Sequence, residues 1–431
     1  MPDLDIRLRR ERADLLATID QPALDRIRDR ARGLRRRRAA RTGAGLLATL
    51  VTVALAVGPW RAADPPPADR AASPPPTVPV YGDAGITITG LTGDSVLRLS
   101  GPVTDVEFAD ADIGFLAYTC ACPLRLLRTA DGGRTWHAAA LPAELGNHAD
   151  VDLMAFADGR LAAAPATPGS SAPDATGSAA PGSGGTVRPG GPVGYRTSDG
   201  ADTWQPAVAG SAPAPFARPD DRLRLRPGAG RCDGSVEVWP DGLPQVAPLL
   251  VQPGIGVCSV APVPAGDGTR WVGGTSGDRA ALAATRDGGR SWRTVLLDAP
   301  ARDVATVEVA TLGSHVYAAV LDRNRSVPAL LHSSDGGRSF SRTGSGPPTG
   351  LPGLAGAMVP LLDGRLLVAG TDQRWYLSAD DGATFARAGG SLPAVGRLAR
   401  TPAGYVAYDL FGGGWVAFSR NGLTWHKLQV N

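Results

Sequence analysis

The chain has 431 residues, with 44 Lys and Arg against 41 Asp and Glu, a net charge of +3. Residues 1–41 hold 13 Arg and 7 acidic residues, net +6, so the remainder is net −3. That balance excludes a basic nucleic-acid-binding body, and the length allows one large domain with extensions.

The first 41 residues read as a cytoplasmic basic tail. Asp20 can cap a helix with Pro22 in its first turn, and Leu24, Ile27, Ala31 and Leu34 then share one face. Such a helix suits the anionic inner leaflet of a membrane, or a cytoplasmic partner. Residues 42–60, TGAGLLATLVTVALAVGPW, are apolar and uncharged, and their length of 19 is near the minimum for a transmembrane helix. Arg35 to Arg38 and Arg41 precede this run and Trp60 closes it, which places the N-terminus in the cytoplasm. A cleaved leader ending near Ala54-Leu55-Ala56 is the alternative, but 41 residues ahead of it are long for that purpose. The expectation is an uncleaved single-pass anchor in the cell membrane. No Cys occurs before Cys120, which rules out a lipoprotein anchor within this sequence. Residues 61–80 form a Pro-rich linker, extended by polyproline preference.

Residues 81–431 carry a repeated phrase: TADGGRTW (129–136), TSDGADTW (197–204), TRDGGRSW (285–292), SSDGGRSF (333–340) and SADDGATF (378–385). A shorter copy, SRNGLTW (419–425), closes the series. The steps between the aspartates, ending at Asn421, are 68, 88, 48, 45 and 41 residues. The last three fit a period of roughly 44. The step of 88 implies a decayed copy near Asp241-Gly242, and the step of 68 contains a Pro/Gly/Ser/Ala run, 165–192, expected to be a disordered loop insertion. About seven units result, each with four short β-type runs between Gly, Asp and Pro turns. VATVEVA (304–310), HVYAAVL (315–321), ALLHSSD (329–335) and SFSRTG (339–344) make up the fifth. Four-stranded units arranged radially predict an all-β, seven-bladed β-propeller.

Within each phrase the carboxylate can accept bonds from its own turn, Gly permits positive φ, and the aromatic residue packs between sheets. The structural residues so assigned are Asp131 with Trp136, Asp199 with Trp204, Asp287 with Trp292, Asp335 with Phe340, Asp380 with Phe385, and Asn421 with Trp425. The phrase resembles the Asp-box, or BNR, repeat over residues 100–431. Sialidases, sortilin-type receptors, some xyloglucan hydrolases and propeller-type photosystem assembly factors share it. The resemblance implies boxes at the blade periphery, away from a site on the propeller axis, and does not choose among those functions.

The four cysteines, Cys120, Cys122, Cys232 and Cys258, would face the oxidising side of the membrane. Three pairings are open; Cys232 with Cys258 is favoured because the two bracket the decayed unit, leaving a strained Cys120–Cys122 bond. The histidines show no ligand spacing, so no metal or other cofactor is expected. A sialidase-like site needs an arginine motif before the first repeat, and the sequence has none there; Phe216-Ala217-Arg218-Pro219 follows the second repeat instead. Glu107 and Glu308 fall in first strands, which line a propeller axis, and Tyr405 and Tyr408 could join them as a weak catalytic constellation. Arg218, Arg222, Arg224 and Arg226 could form an exposed basic edge that binds an acidic partner or glycan. The reading is a monomeric, non-catalytic extracytoplasmic propeller that binds a protein or envelope glycan. The alternatives are an exo-acting, sialidase-like glycoside hydrolase and an assembly factor for a membrane complex.

Overall fold

The computed structural model describes residues 80–90, 101–119, 123–148, 150–156, 159–166, 193–228, 230, 232–242, 245–409 and 415–428. The expectations for residues 1–79, for Cys120 and Cys122, and for 167–192 lie outside them. Among the described residues no helix is long and apolar enough to cross a membrane. One four-residue helical turn, Ala143–Gly146, interrupts an otherwise β structure.

A hairpin comes first, β1 (Val80–Asp83) and β2 (Ile86–Thr89). The chain then runs as antiparallel meanders. The first holds β3 (Val103–Phe108), β4 (Gly114–Tyr118), β5 (Arg125–Thr129) and β6 (His137–Ala139). The second holds β7 (Val151–Ala155), β8 (Leu161–Pro165), β9 (Gly194–Thr197) and β10 (Gln205–Ala209). The third has three strands, β11 (Arg222–Arg226), β12 (Ser235–Trp239) and β13 (Gln245–Pro248). Next are β14 (Gly256–Val260), β15 (Arg270–Ser276), β16 (Arg279–Thr285) and β17 (Arg293–Pro300). Then come β18 (Thr306–Leu312), β19 (His315–Leu321), β20 (Ala329–Ser333) and β21 (Ser341–Arg342). They are followed by β22 (Val359–Pro360), β23 (Leu366–Ala369), β24 (Trp375–Ser378) and β25 (Ala386–Arg387). The last meander is β26 (Arg397–Thr401), β27 (Gly404–Tyr408), β28 (Val416–Ser419) and β29 (Thr424–Lys427).

First strands pack on first strands: β3 on β7, β11 on β14, β14 on β18, β18 on β22, and β26 returns to β3. The sheets therefore stand around a common axis, and the architecture is a β-propeller. Two sheets are larger than their meander. Strand β13 pairs parallel with β10 through Val208↔Gln245, fusing the second and third meanders. Strand β2 pairs parallel with β29 through Thr87↔Thr424, adding the opening hairpin to the last meander. Both additions cover strand edges that would otherwise be open to other chains.

Sequence explains the layering. Inner strands are covered on both faces and read as continuous apolar runs, as in β16, where Ala280 to Thr285 are all buried. Outer strands alternate or are exposed, as in β10. At Gly273 in β15 a Cβ would stand 2.8 Å from Val307 Cβ of β18, so only glycine permits that approach of two sheets. Large aromatic residues fill the wedge between sheets farther out. Phe108 meets Phe418 with ring centroids 4.8 Å apart, joining the first meander to the last. Trp425 is fully buried in the same cluster.

The repeated phrase forms the hairpin turn between third and fourth strands. At Asp131, Thr129 Oγ1 donates to Oδ1 at 2.8 Å, Thr135 N donates to Oδ1 at 2.9 Å, and Thr135 Oγ1 donates to Oδ2 at 2.6 Å. Gly133 N donates back to Thr129 Oγ1 at 2.9 Å, and Gly133 takes φ +84°. The same bonds recur at Asp199, Asp287, Asp335 and Asp380. Ala201 replaces the second glycine in one copy and still takes φ +75°. In the short copy Thr424 N donates to Asn421 Oδ1 at 2.9 Å. Of the aromatic partners, Phe385 and Trp425 are buried, whereas Trp136, Trp204, Trp292 and Phe340 are half-buried. The expected decayed copy is corrected: Asp241-Gly242 joins β12 to β13, one hairpin earlier than the turns it was thought to match.

Hydrogen bonds from the Ser/Thr hydroxyls hold the carboxyls of Asp131, Asp199, Asp287 and Asp335 well below the usual carboxylate range. At Asp380 burial opposes this, and the bonds from Thr384 and Ser378 outweigh it. A depressed carboxyl stabilises the fold above its unfolded pKa of about 3.9, and that contribution is lost as pH falls through the depressed value. Stability should therefore drop steeply below about pH 4, and Asp335→Asn should flatten that limb in chemical denaturation series. Thr285→Val leaves the buried Gly289 N–H without its acceptor and should cost about 1–3 kcal/mol. Trp425→Ala should cost about 3–5 kcal/mol; both are read from denaturant midpoints.

Candidate functional site

Charged side chains of first strands meet near the axis. Glu107 on β3 is buried, with Arg222 Nη2 of β11 at 3.6 Å from Oε1. At that separation the guanidinium does not offset burial, so the Glu107 carboxyl is pushed well above its ordinary range, with Asp105 adding to the rise. Asp105, two residues earlier, accepts the Leu153 N–H at 2.8 Å. Burial nevertheless pushes its carboxyl up to about 7. Three buried polar atoms here, Thr104 Oγ1, Glu107 Oε2 and Arg222 Nε, have no hydrogen-bond partner among the described residues. Such atoms call for water or a polar ligand group.

The predicted arginine edge is corrected. Only Arg218 and Arg226 are exposed; Arg222 is buried and Arg224 half-buried. Arg224 Nη2 donates to Asp152 Oδ2 of β7 at 3.0 Å and also to the Pro165 carbonyl. Its Nη1 is 3.6 Å from Glu237 Oε1, which accepts Trp239 Nε1–H at 2.8 Å. Arg224 and Arg196 lie 5.9 and 5.6 Å from the Trp239 ring centre, within cation–π range. These arginines join the third meander to the first two rather than presenting a surface. Arg218 uses its backbone: its N–H donates to Asp221 Oδ2 at 2.6 Å and its carbonyl accepts from Arg270 at 2.5 Å.

The other candidates lie elsewhere around the axis. Glu308 on β18 is half-buried and sits within electrostatic reach of Arg325 and Arg397. Tyr408 on β27 is fully buried, and burial raises its hydroxyl above the ordinary range; its neighbours include Arg397, Asp105 and Glu107. Tyr405 is 8% exposed and is raised by burial against the pull of Arg400. Arg400 in turn donates to Thr311 Oγ1 at 3.0 Å and to the Pro264 carbonyl at 3.3 Å, tying β26 to two other meanders. The structure thus brings Glu107 and Tyr408 into one electrostatic cluster, but as enclosed groups.

Asp105, Asp152, Glu237 and Arg397 were not singled out from the sequence. Their signal was present in VTDVEF, VDLMA, SVEVW and RLART, where charges interrupt otherwise apolar strands. A disulfide joins Cys232 to Cys258, linking the loop before β12 to β14. One ligand atom from each of His315, His332 and Asp381 lies within 4.8 Å of the others, a grouping that the linear spacing of the histidines did not indicate.

No protein-family model matches the chain. No curated protein matches it either. Among solved structures, it is similar to YCF48 from Cyanidioschyzon merolae at 16% identity and a TM-score of 0.42, over 76% of this chain and 95% of that one. A second structure, of YCF48 bound to D1 peptide, matches at 17% identity and a TM-score of 0.33, over 77% and 83%. A puromycin-hydrolysing peptidase of Mycobacterium tuberculosis matches at 14% identity and a TM-score of 0.43, over 75% of this chain and 51% of the enzyme. Identities and scores this low do not bear on the site.

A carboxyl raised on folding stabilises most below its unfolded pKa, and the contribution is lost as pH rises through the folded value. Asp105 therefore should make stability fall between about pH 4 and 7. Asp105→Asn should flatten that fall in denaturation midpoints; an unchanged slope would remove Asp105 from the cluster's titration.

Proposed function

We propose that the chain is a membrane-anchored, extracytoplasmic binding or scaffolding propeller whose partner is a protein or an envelope glycan. In this reading residues 42–60 span the cell membrane, 61–80 form a Pro-rich stalk, and the meanders are the seven blades of an Asp-box propeller. The loop 165–192 is an insertion in the second blade.

One observation carries the non-catalytic reading: three of the four catalytic candidates are enclosed, and the fourth, Glu308, is half-buried. Tyr408 is 0% exposed, Tyr405 8% and Glu107 7%. A glycosidase nucleophile and acid must reach the substrate, with a defined space between two carboxyls. Here Glu107 faces Arg222, and Arg224 is held by Asp152. These groups weld blades together. A partner would instead meet the rim, where Leu250 and Val251 stand exposed just after the incomplete third meander.

The full-length chain should appear in the membrane fraction; a released form starting near Val57 would contradict the anchor. Purified full-length protein should turn over none of a panel of fluorogenic glycosides, sialosides included. Turnover abolished by Glu308→Gln would replace this reading with the hydrolase. A photo-cross-linker at position 250 in the intact envelope should give a discrete adduct that Val251→Asp reduces several-fold. No adduct from position 250 would count against the rim.

A further inference from the structure

In one full copy of the repeated turn an aspartate replaces the glycine that follows the first Asp, and two histidines stand beside it. After Asp131, Asp199, Asp287 and Asp335 the next residue is glycine; after Asp380 it is Asp381. Asp381 adopts φ +57°, the left-handed region that the corresponding glycines occupy at +72° to +77°. A non-glycine side chain there is strained, and the site keeps it. Its carboxylate is turned to the neighbouring sheet, where Tyr317 Oη donates to Oδ1 at 3.2 Å and His332 Nδ1 lies 3.5 Å from Oδ2.

Strand register supplies the rest. Tyr317 on β19 is the direct cross-strand partner of His332 on β20. His315 lies two residues from Tyr317 and therefore on the same face of the sheet. His315 Nδ1 is 2.9 Å from His332 Nε2, with ring planes 5° apart. Tyr317 stacks on His332 with centroids 4.6 Å apart, which fixes the ring. Burial lowers the proton affinity of His332, as does His315, against the opposing pull of Asp381.

We propose that His315 Nδ1 and His332 Nε2 bind one late first-row divalent cation of the Zn²⁺ class, with Asp381 as the carboxylate that orients His332 and balances charge. Two imidazole nitrogens 2.9 Å apart must share a proton, one as donor and one as acceptor. A cation takes the place of that shared proton. Both rings then carry their proton on the far nitrogen, which for His332 is the Nδ1–H facing Asp381. In tetrahedral coordination at 2.0–2.1 Å the nitrogens stand about 3.3 Å apart, so the rings part by a few tenths of an ångström and the His315 ring tilts to bring both lone pairs onto the ion. His315 is exposed and free to make that move. Imidazole selects Zn²⁺, Ni²⁺ or Cu²⁺ over Mg²⁺ and Ca²⁺. A carboxylate on the far nitrogen is the usual outer-shell support of a metal-binding histidine.

The test is equilibrium titration of the full-length, tag-free chain with Zn²⁺ against a chromophoric indicator, and with Co²⁺ by its visible absorption. One Zn²⁺ per chain is expected. His315→Gln and His332→Gln should each weaken binding at least ten-fold, and Asp381→Asn about 10–100-fold. His137→Gln, at an exposed histidine outside the cluster, should leave binding unchanged. Because His315 is exposed, its variant should keep the parent melting temperature without metal, which separates lost binding from lost folding. Absence of stoichiometric binding, or binding indifferent to both histidine variants, would overturn the proposal.

Discussion

A carboxylate folded back into its own turn is the constraint on which the sheets depend. The Asp in each full repeat accepts from one hydroxyl before it and from an amide and a hydroxyl after it, while the first hydroxyl also accepts from a buried amide. The hairpin between third and fourth strands is therefore held by bonds within its own turn. This solves a general difficulty of propellers. Their outer strands bury little, and here β21 and β25 are two residues long. Strands that short cannot set their own register. The turn sets it for them and aims the aromatic residue at the wedge between sheets.

The axis follows a different logic. Its arginines and carboxyls come from strands that read as interior, and they meet across meanders rather than along one. Arg224 with Asp152, Arg222 with Glu107, and Arg400 with Thr311 each join one meander to another. Burial raises the Glu107 carboxyl, and a guanidinium 3.6 Å away does not offset its lost hydration. Local turns fix each sheet, and long-range polar contacts fix the sheets to one another.

This division explains what the sequence disclosed. The repeated turn was legible because its bonds span two to four residues, as from Thr129 to Asp131 and Asp131 to Thr135. Strands were legible from alternation: the run read at 315–321 is β19 itself. The arginines of β11 were misread as an edge because Arg224 finds Asp152 72 residues away. Alternation of basic and apolar residues looks the same whether the basic face meets water or carboxylates. Asp241 was misplaced because a constant period assumes that every unit has four strands, and the third has three. His315, His332 and Asp381 have no linear signature, since cross-strand register and a turn of the next sheet bring them together.

The parallel pairing of β2 with β29 has a consequence for how the molecule is made. Thr89 Oγ1 donates to the Trp425 carbonyl across 336 residues. The opening hairpin is among the first described parts to be synthesised, yet its partner strand is among the last. Until then β2 presents an unpaired edge while every other sheet is able to form. Closure is thus a late, non-local step, and such steps are slow and exposed to mispairing. A chain lacking β29 would leave β2 and β28 each with a bare edge, open to pairing with another chain.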